Sequence, residues 1–218
     1  MYFKTYLNDI RYQLKALGIF NLMPLICLYV MLPTANLINY RVYQDFNLLF
    51  ENILRTNQLC CPVLTVFCTF FLLEHCIEED GHELLYIRHR WKLPHVWIIY
   101  LLFQMLMIPL YLVYARWFSE IWWLYLKLAV IHMFYHLAAY CLSYMFGKIT
   151  PAIVFLSFVS IAAVLEAVYG AIYYTYFDSY LIRGTELLYE LIPYVFFVLI
   201  FAIIGSVRNY HFIENYSS

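Results

Sequence analysis

The sequence predicts an all-α polytopic membrane protein with six transmembrane helices and an amphipathic helix at its N-terminus. Of the 218 residues, 65% are hydrophobic and only 12% are charged, whereas an average soluble domain carries roughly 25% charged residues. Six apolar stretches, each with at most one interior charge, approach the ~20 residues that cross a bilayer. The first seventeen residues instead alternate apolar and polar positions with a helical spacing.

Residues 1–17 predict a helix that lies in the membrane interface rather than across it. The segment lacks the continuous apolar core and the small-residue cleavage site of a signal peptide. Basic residues lie on one face of the predicted helix, at Lys4, Arg11 and Lys15. Apolar residues recur every three or four positions on the other face, at Phe3, Leu7, Ile10, Leu14 and Leu17.

The predicted spans are 19–38, 56–73, 95–115, 121–146, 151–176 and 191–207. Six spans use ~120 residues, which leaves only short connections, so we expect one transmembrane domain over residues 1–218. With the N-terminus inside, eight basic residues fall in cytoplasmic segments and four in outer ones. The excess of basic residues in cytoplasmic loops then predicts a cell-membrane protein with both termini in the cytoplasm.

The longest predicted cytoplasmic connection, residues 74–94, changes from acidic to basic along its length. Acidic residues at the start of the segment and basic residues at its end favour a helix, because they complement the helix dipole. We expect this helix over residues 81–91, ending before Pro94. Two interpretations remain open. The segment is either a solvated loop that follows the positive-inside rule or a docking helix for a cytoplasmic partner.

The pattern E-x-x-x-E-E-x-G-x-E-L-L begins at Glu74 and is followed by basic residues that lead into span three. Together with six spans and an interfacial helix, it resembles the permease subunits of type-2 ATP-binding-cassette (ABC) exporters. In that family the segment is the coupling helix, which sits in a groove of the nucleotide-binding subunit. The turn at residues 146–150 also resembles the family's second cytoplasmic contact. The resemblance implies these ATPase-coupling residues: Glu74, Glu78, Glu79, Asp80, Gly81, His82, Glu83 and Arg88.

The resemblance also implies the partners of the chain. A separate ATPase subunit would bind ATP and Mg, and a second permease chain, identical or different, would complete a dimer for an amphipathic substrate such as a peptide, an antibiotic or a lipid. The chain itself has no G-x-x-x-x-G-K-[ST] motif, so it is expected to be a transport subunit and not an enzyme. Its net charge of −1 gives no indication of a nucleic-acid partner.

Lys127 and Glu166 are the charged residues well inside the predicted spans. Each costs ~2.5–3.5 kcal/mol at a helix centre. Their predicted depths, ~9 and ~15 Å from the outer surface, allow an ion pair between spans four and five. The pair is interpreted either as a structural ion pair that holds spans four and five together or as a polar site on the transport path. In a third interpretation, Lys127 extends its ammonium towards the membrane surface and Glu166 is separately protonated.

His132 and His136 are four residues apart in span four. A metal site needs a third ligand, and no acidic residue follows in that span. We therefore expect no metal, and two histidines hydrogen-bonded to neighbouring tyrosines.

Two other functions remain open on the sequence alone. One is a six-span channel or carrier outside the ABC family that uses the intramembrane lysine and glutamate. The other is a structural membrane protein whose cytoplasmic loop recruits a partner without transport.

Overall fold

The structure is a computed structural model, and it describes residues 11, 15, 18, 23–78, 91–169, 175–177 and 184–217. The elements in this part of the chain are helices. Helix α1 consists of Met23–Ile26, a π-helical turn at Cys27–Met31, and Leu32–Tyr43. The other helices are α2 (Phe46–Ile77), α3 (Leu93–Ala115), α4 (Ile121–Phe146), α5 (Thr150–Tyr169) and α6 (Gly184–Ser217).

All six helices are long and apolar enough to cross a membrane, as the sequence predicts for a multi-pass membrane protein. The predicted N-terminal helix falls outside the described residues except at Arg11 and Lys15, which are helical and exposed. We call the end of the bundle at which residues 74–94 connect α2 to α3 the loop end.

Local sequence explains where several helices begin and end. Gln44 ends α1 in the left-handed conformation, with φ of 51°. The carboxylate of Asp45 then caps α2 by accepting a hydrogen bond from the backbone N–H of Asn47 at 2.8 Å. Helix α4 ends at Gly147, whose φ of 64° favours glycine. Pro94 lies in the first turn of α3, where its missing N–H is tolerated.

Helix α4 is the centre of the bundle and packs against α2, α3, α5 and α6. Of the residues in its apolar stretch, 72% are buried, against 17% for α5 and for α6. Helix α6 therefore contacts α4 through a narrow face and exposes the rest of its apolar surface, as expected of a helix that faces lipid or another chain.

The close approach of α4 and α6 occurs at Gly205. A Cβ atom at this position would lie 2.6 Å from Cδ1 of Tyr140 and 3.1 Å from Cα of Cys141. The absence of a side chain thus lets a tyrosine ring of α4 rest against the backbone of α6, which is how small residues bring membrane helices together.

The helices differ from the predicted spans mainly at their ends. Helix α2 starts ten residues before predicted span two, at Phe46, because charged residues such as Glu51 and Arg55 are tolerated on turns near the end of the bundle. Predicted span five was extended too far, since residues 175–177 are not helical. Helix α6 begins at Gly184 and not near Leu191, so it carries Glu186 and Glu190 in its first turns.

Candidate functional site

The loop end of the bundle joins the two segments that the sequence predicts as cytoplasmic contacts. Glu78, at the C-terminal end of α2, accepts a hydrogen bond through Oε1 from the backbone N–H of Ile149 at 2.5 Å. Ile149 belongs to the turn between α4 and α5, which the left-handed Gly147 makes possible. A carboxylate here satisfies an N–H group just before the start of α5, where negative charge is favoured by the helix dipole.

The other flank of residues 79–90 is held at the same end of the bundle. The backbone N–H of Lys92 donates to Oδ1 of Asn209 in α6 at 3.1 Å, and Tyr140 of α4 donates to the same oxygen at 3.2 Å. The rings of Trp91 and Tyr210 lie 6.5 Å apart. Both flanks of the segment are therefore fixed to helices, one to the start of α5 and the other to α6.

A cavity of about 580 Å³ opens between α2 and α5. Glu74 lines it near the loop end, and Tyr135 and Ser160 line it about 15 Å further along the helices. The hydroxyls of Tyr135 and Ser160 are hydrogen-bonded at 2.8 Å. The rest of the lining is apolar, including Phe67, Phe70, Phe71 and Leu156. The cavity thus combines an apolar wall with polar groups near one end and in the middle.

Helices α2 and α5 also meet at the end opposite the loop end. The guanidinium of Arg55 donates to the backbone oxygen of Ala167 at 3.1 Å. This carbonyl lies in the last turn of α5, where a cation is favoured. Hydrogen bonds from Ile149 to Glu78 and from Arg55 to Ala167 therefore join the two helices beyond the two ends of the cavity.

The structure describes two of the predicted ATPase-coupling residues, Glu74 and Glu78, and places both at the loop end. The remaining six lie outside the described residues, as does the predicted helix that contains them: Glu79, Asp80, Gly81, His82, Glu83 and Arg88.

The predicted ion pair between Lys127 and Glu166 is wrong in its acidic partner. Nζ of Lys127 lies 2.8 Å from Oε1 of Glu190 in α6. Glu166 instead accepts hydrogen bonds through Oε2 from the backbone N–H of Thr175, at 3.0 Å, and from its hydroxyl. Lys127 pairs with α6 because α6 starts earlier than predicted and carries Glu190 to the level of the lysine. Glu166 remains close enough to attract Lys127 electrostatically.

A second cavity, of about 460 Å³, lies beside this charge cluster. Glu190, Thr175 and Tyr194 line one part of it. Aromatic side chains form most of the remaining wall, where the rings of Phe134 and Phe201 are 5.7 Å apart. The cavity therefore places an acidic side chain next to an aromatic surface.

His132 and His136 are fully buried in the middle of the bundle, but their partners are not tyrosine hydroxyls. Nδ1 of His132 lies 2.9 Å from the amide nitrogen of Gln104, and Nδ1 of His136 lies 2.6 Å from the hydroxyl of Thr69. Tyr100 contacts His136 only through its ring. The two histidines therefore join α4 to α3 and to α2. No group of three or more metal-ligating side chains forms within the described residues.

Sequence reasoning missed Glu190, Gln104 and Thr69. Glu190 could have been found from its position directly before predicted span six. Gln104 and Thr69 could have been found as uncharged polar residues within predicted spans three and two. Comparisons with protein-family models, with curated proteins and with solved structures find no match. The geometry of the chain is therefore the basis for a functional conclusion.

Proposed function

We propose that this chain is the membrane-spanning permease subunit of an ABC exporter, which moves an amphipathic substrate and is driven by a separate ATPase subunit. The observation that supports this most strongly is the hydrogen bond between Glu78 and Ile149. It joins the flank of the coupling segment to the second segment that the ABC resemblance implies as an ATPase contact. One partner subunit can therefore bind both segments at a single surface.

In this proposal, the loop end faces the cytoplasm and residues 79–90 dock on the ATPase. A displacement of the docked segment is transmitted through Glu78 to the first turn of α5. It is transmitted through the bond from Lys92 to Asn209 to the C-terminal half of α6. ATP-driven closure of two ATPase subunits would thus move helices of two permease chains between alternative arrangements.

The cavity between α2 and α5 supplies a route for an amphipathic molecule. Its apolar wall suits an acyl or aromatic group, whereas Glu74 and the hydroxyls of Ser160 and Tyr135 suit a polar one. The hydrogen bonds beyond its two ends contribute about 0.5–3 kcal/mol each. A movement of α5 can therefore break first one bond and then the other.

The proposal is tested by purifying the tagged chain from its native membranes in a mild detergent. We expect a subunit with a phosphate-binding G-x-x-x-x-G-K-[ST] motif to copurify in comparable amount and to hydrolyse ATP. Charge reversal at Glu79 and Asp80 is expected to abolish copurification. The matched control is Glu51→Lys, an exposed acidic position of α2 at the opposite end of the bundle. Copurification of no ATPase, or equal copurification with the charge-reversed variant, would contradict the proposal.

A second variant pair separates coupling from docking. Glu78→Gln keeps a carbonyl oxygen that can accept from Ile149, whereas Glu78→Ala removes it. We expect both variants to capture the ATPase. Glu78→Ala should reduce transport severalfold relative to Glu78→Gln, because the segment is then no longer tied to α5.

A carrier that works without an ATPase is the second candidate, favoured by the buried pair of Lys127 and Glu190. Buried ionisable residues within a membrane often mark transport paths. Purification distinguishes the two functions, because a carrier would be active in proteoliposomes that contain this chain alone.

A further inference from the structure

The cavity beside the charge cluster joins three properties that together indicate a specific class of ligand. It has a volume of about 460 Å³, within the roughly 300–1,000 Å³ of cavities that hold small organic ligands. Its wall is mostly aromatic, with Phe134, Tyr194, Phe197 and Phe201 packed edge-on or stacked on one another. Its acidic lining residue among those described is Glu190.

The cavity lies beside a cluster of charged groups. Glu190 lines the cavity, and both of its carboxylate oxygens are buried. Lys127, whose ammonium is paired with this carboxylate, is almost fully buried. Glu166 adds a second carboxylate close to Tyr194. The described groups of the cluster are thus two carboxylates and one ammonium.

One oxygen of Glu190 is available for a further interaction. Oε1 is paired with Lys127 at 2.8 Å, whereas Oε2 is buried and makes no hydrogen bond within the described part of the chain. A buried carboxylate oxygen without a partner is costly, and such atoms usually have a ligand, a water or an ion as a partner.

We propose that this cavity binds a lipophilic organic cation, with its charged group beside Glu190 and its apolar groups among the phenylalanines. A carboxylate in a medium of low dielectric constant attracts a cation strongly. The faces of Phe and Tyr rings add a cation–π attraction and exclude water. An organic anion of the same shape meets the repulsion of the carboxylates and gains nothing from the ring faces. The inference rests on the proposed function in one respect, which is that the bound cation is taken to be a transported substrate.

The test uses two ions of nearly identical shape and opposite charge, tetraphenylphosphonium and tetraphenylborate. Each is titrated against the purified chain in detergent by equilibrium dialysis, with protein-free micelles as the blank. We expect saturable binding of tetraphenylphosphonium and binding of tetraphenylborate at least tenfold weaker. Equal binding of the two ions, or no saturable binding of the phosphonium, would overturn the proposal.

Variants locate the site. Glu190→Gln is expected to weaken phosphonium binding at least tenfold. Glu186→Gln, the same change one turn earlier on α6 at an exposed position, is expected to leave binding unchanged. Phe197→Ala retains the ion pair and removes part of the cavity wall, so it should weaken binding severalfold even if Glu190→Gln folds poorly. Its control is Phe158→Ala, an exposed ring of α5 that does not line the cavity. Unchanged binding in Phe197→Ala would overturn the assignment.

The outcome is separable from that of the proposed function, because the dialysis uses this chain alone. Copurification of an ATPase without phosphonium binding would refute the cation site and leave the ABC assignment in place. Phosphonium binding without an ATPase would support the site and refute the assignment.

Discussion

Replacing Lys127 and Glu190 singly and together gives a quantitative test of the buried pair. The variants are Lys127→Met, Glu190→Met and the double replacement, with Glu186→Met as an exposed control on the same helix. Methionine is chosen because its unbranched side chain has a volume similar to that of both residues and carries no charge. Each single replacement removes one charge of the pair and leaves the other. The double replacement removes both charges.

The expected magnitude follows from the geometry. At 2.8 Å and an effective dielectric constant of about 20, the direct attraction between the charges is roughly 6 kcal/mol. Most of this is offset by the desolvation of both groups, since Lys127 is 3% exposed. Removing one partner leaves the other buried without the charge that lies closest to it and should cost about 3–5 kcal/mol. The double replacement should lie within ~1 kcal/mol of the natural protein, because two apolar side chains need no pairing.

The free energy of unfolding is measured by titrating the purified protein from a mild detergent into sodium dodecyl sulfate, with tryptophan fluorescence as the signal. The interaction energy is the loss in the double variant minus the sum of the two single losses. We expect its magnitude to exceed ~3 kcal/mol, whereas Glu186→Met should change stability by less than ~0.5 kcal/mol.

Two results would refute the reasoning. The first is additivity of the single losses within ~0.5 kcal/mol, which is the usual error for independent sites. The second is a larger interaction of Lys127 with Glu166 than with Glu190 in a parallel cycle, because Glu166 is bound to Thr175 in the structure.

Three further substitutions test the packing at the loop end, each by the same unfolding titration. Gly205→Ala should cost about 1–3 kcal/mol, because the new Cβ would lie 2.6 Å from the ring of Tyr140; an unchanged stability would show that the ring moves freely. Asn209→Leu should cost about 2–3 kcal/mol, because it removes the acceptor for Lys92 and Tyr140 at a fully buried position. Gly147→Ala should cost about 1–2 kcal/mol, since its φ of 64° strains a residue with a Cβ; a smaller loss than for a helical surface position would contradict this.

Composition and apolar length were sufficient to predict six helices that are long and apolar enough to cross a membrane, because a span in lipid must satisfy its own backbone. They could not predict where each helix ends, since a helix continues beyond its apolar stretch wherever its end turns tolerate charge. Helix α2 illustrates this, with Glu51 and Arg55 inside the helix but outside the predicted span.

The partner of Lys127 was missed for the same reason. Predicted span six begins at Leu191, which places Glu190 in the preceding loop and leaves Glu166 as the acidic partner within the spans. The position of a charge relative to an apolar stretch does not decide its depth when the helix is longer than the stretch. The contacts of His132 and His136 were not predictable either, because they depend on which helices surround α4.

The pairing of Lys127 with Glu190 also has a consequence for the biosynthesis of the protein. The lysine belongs to the fourth helix and its carboxylate to the sixth, so the lysine enters the bilayer before its counter-ion has been synthesised. Chains truncated before α6 would lack the Glu190 carboxylate that pairs with this ammonium. Because this pair forms only when α6 is present, truncated chains are expected to be less stable than the complete chain and more readily degraded by membrane proteases.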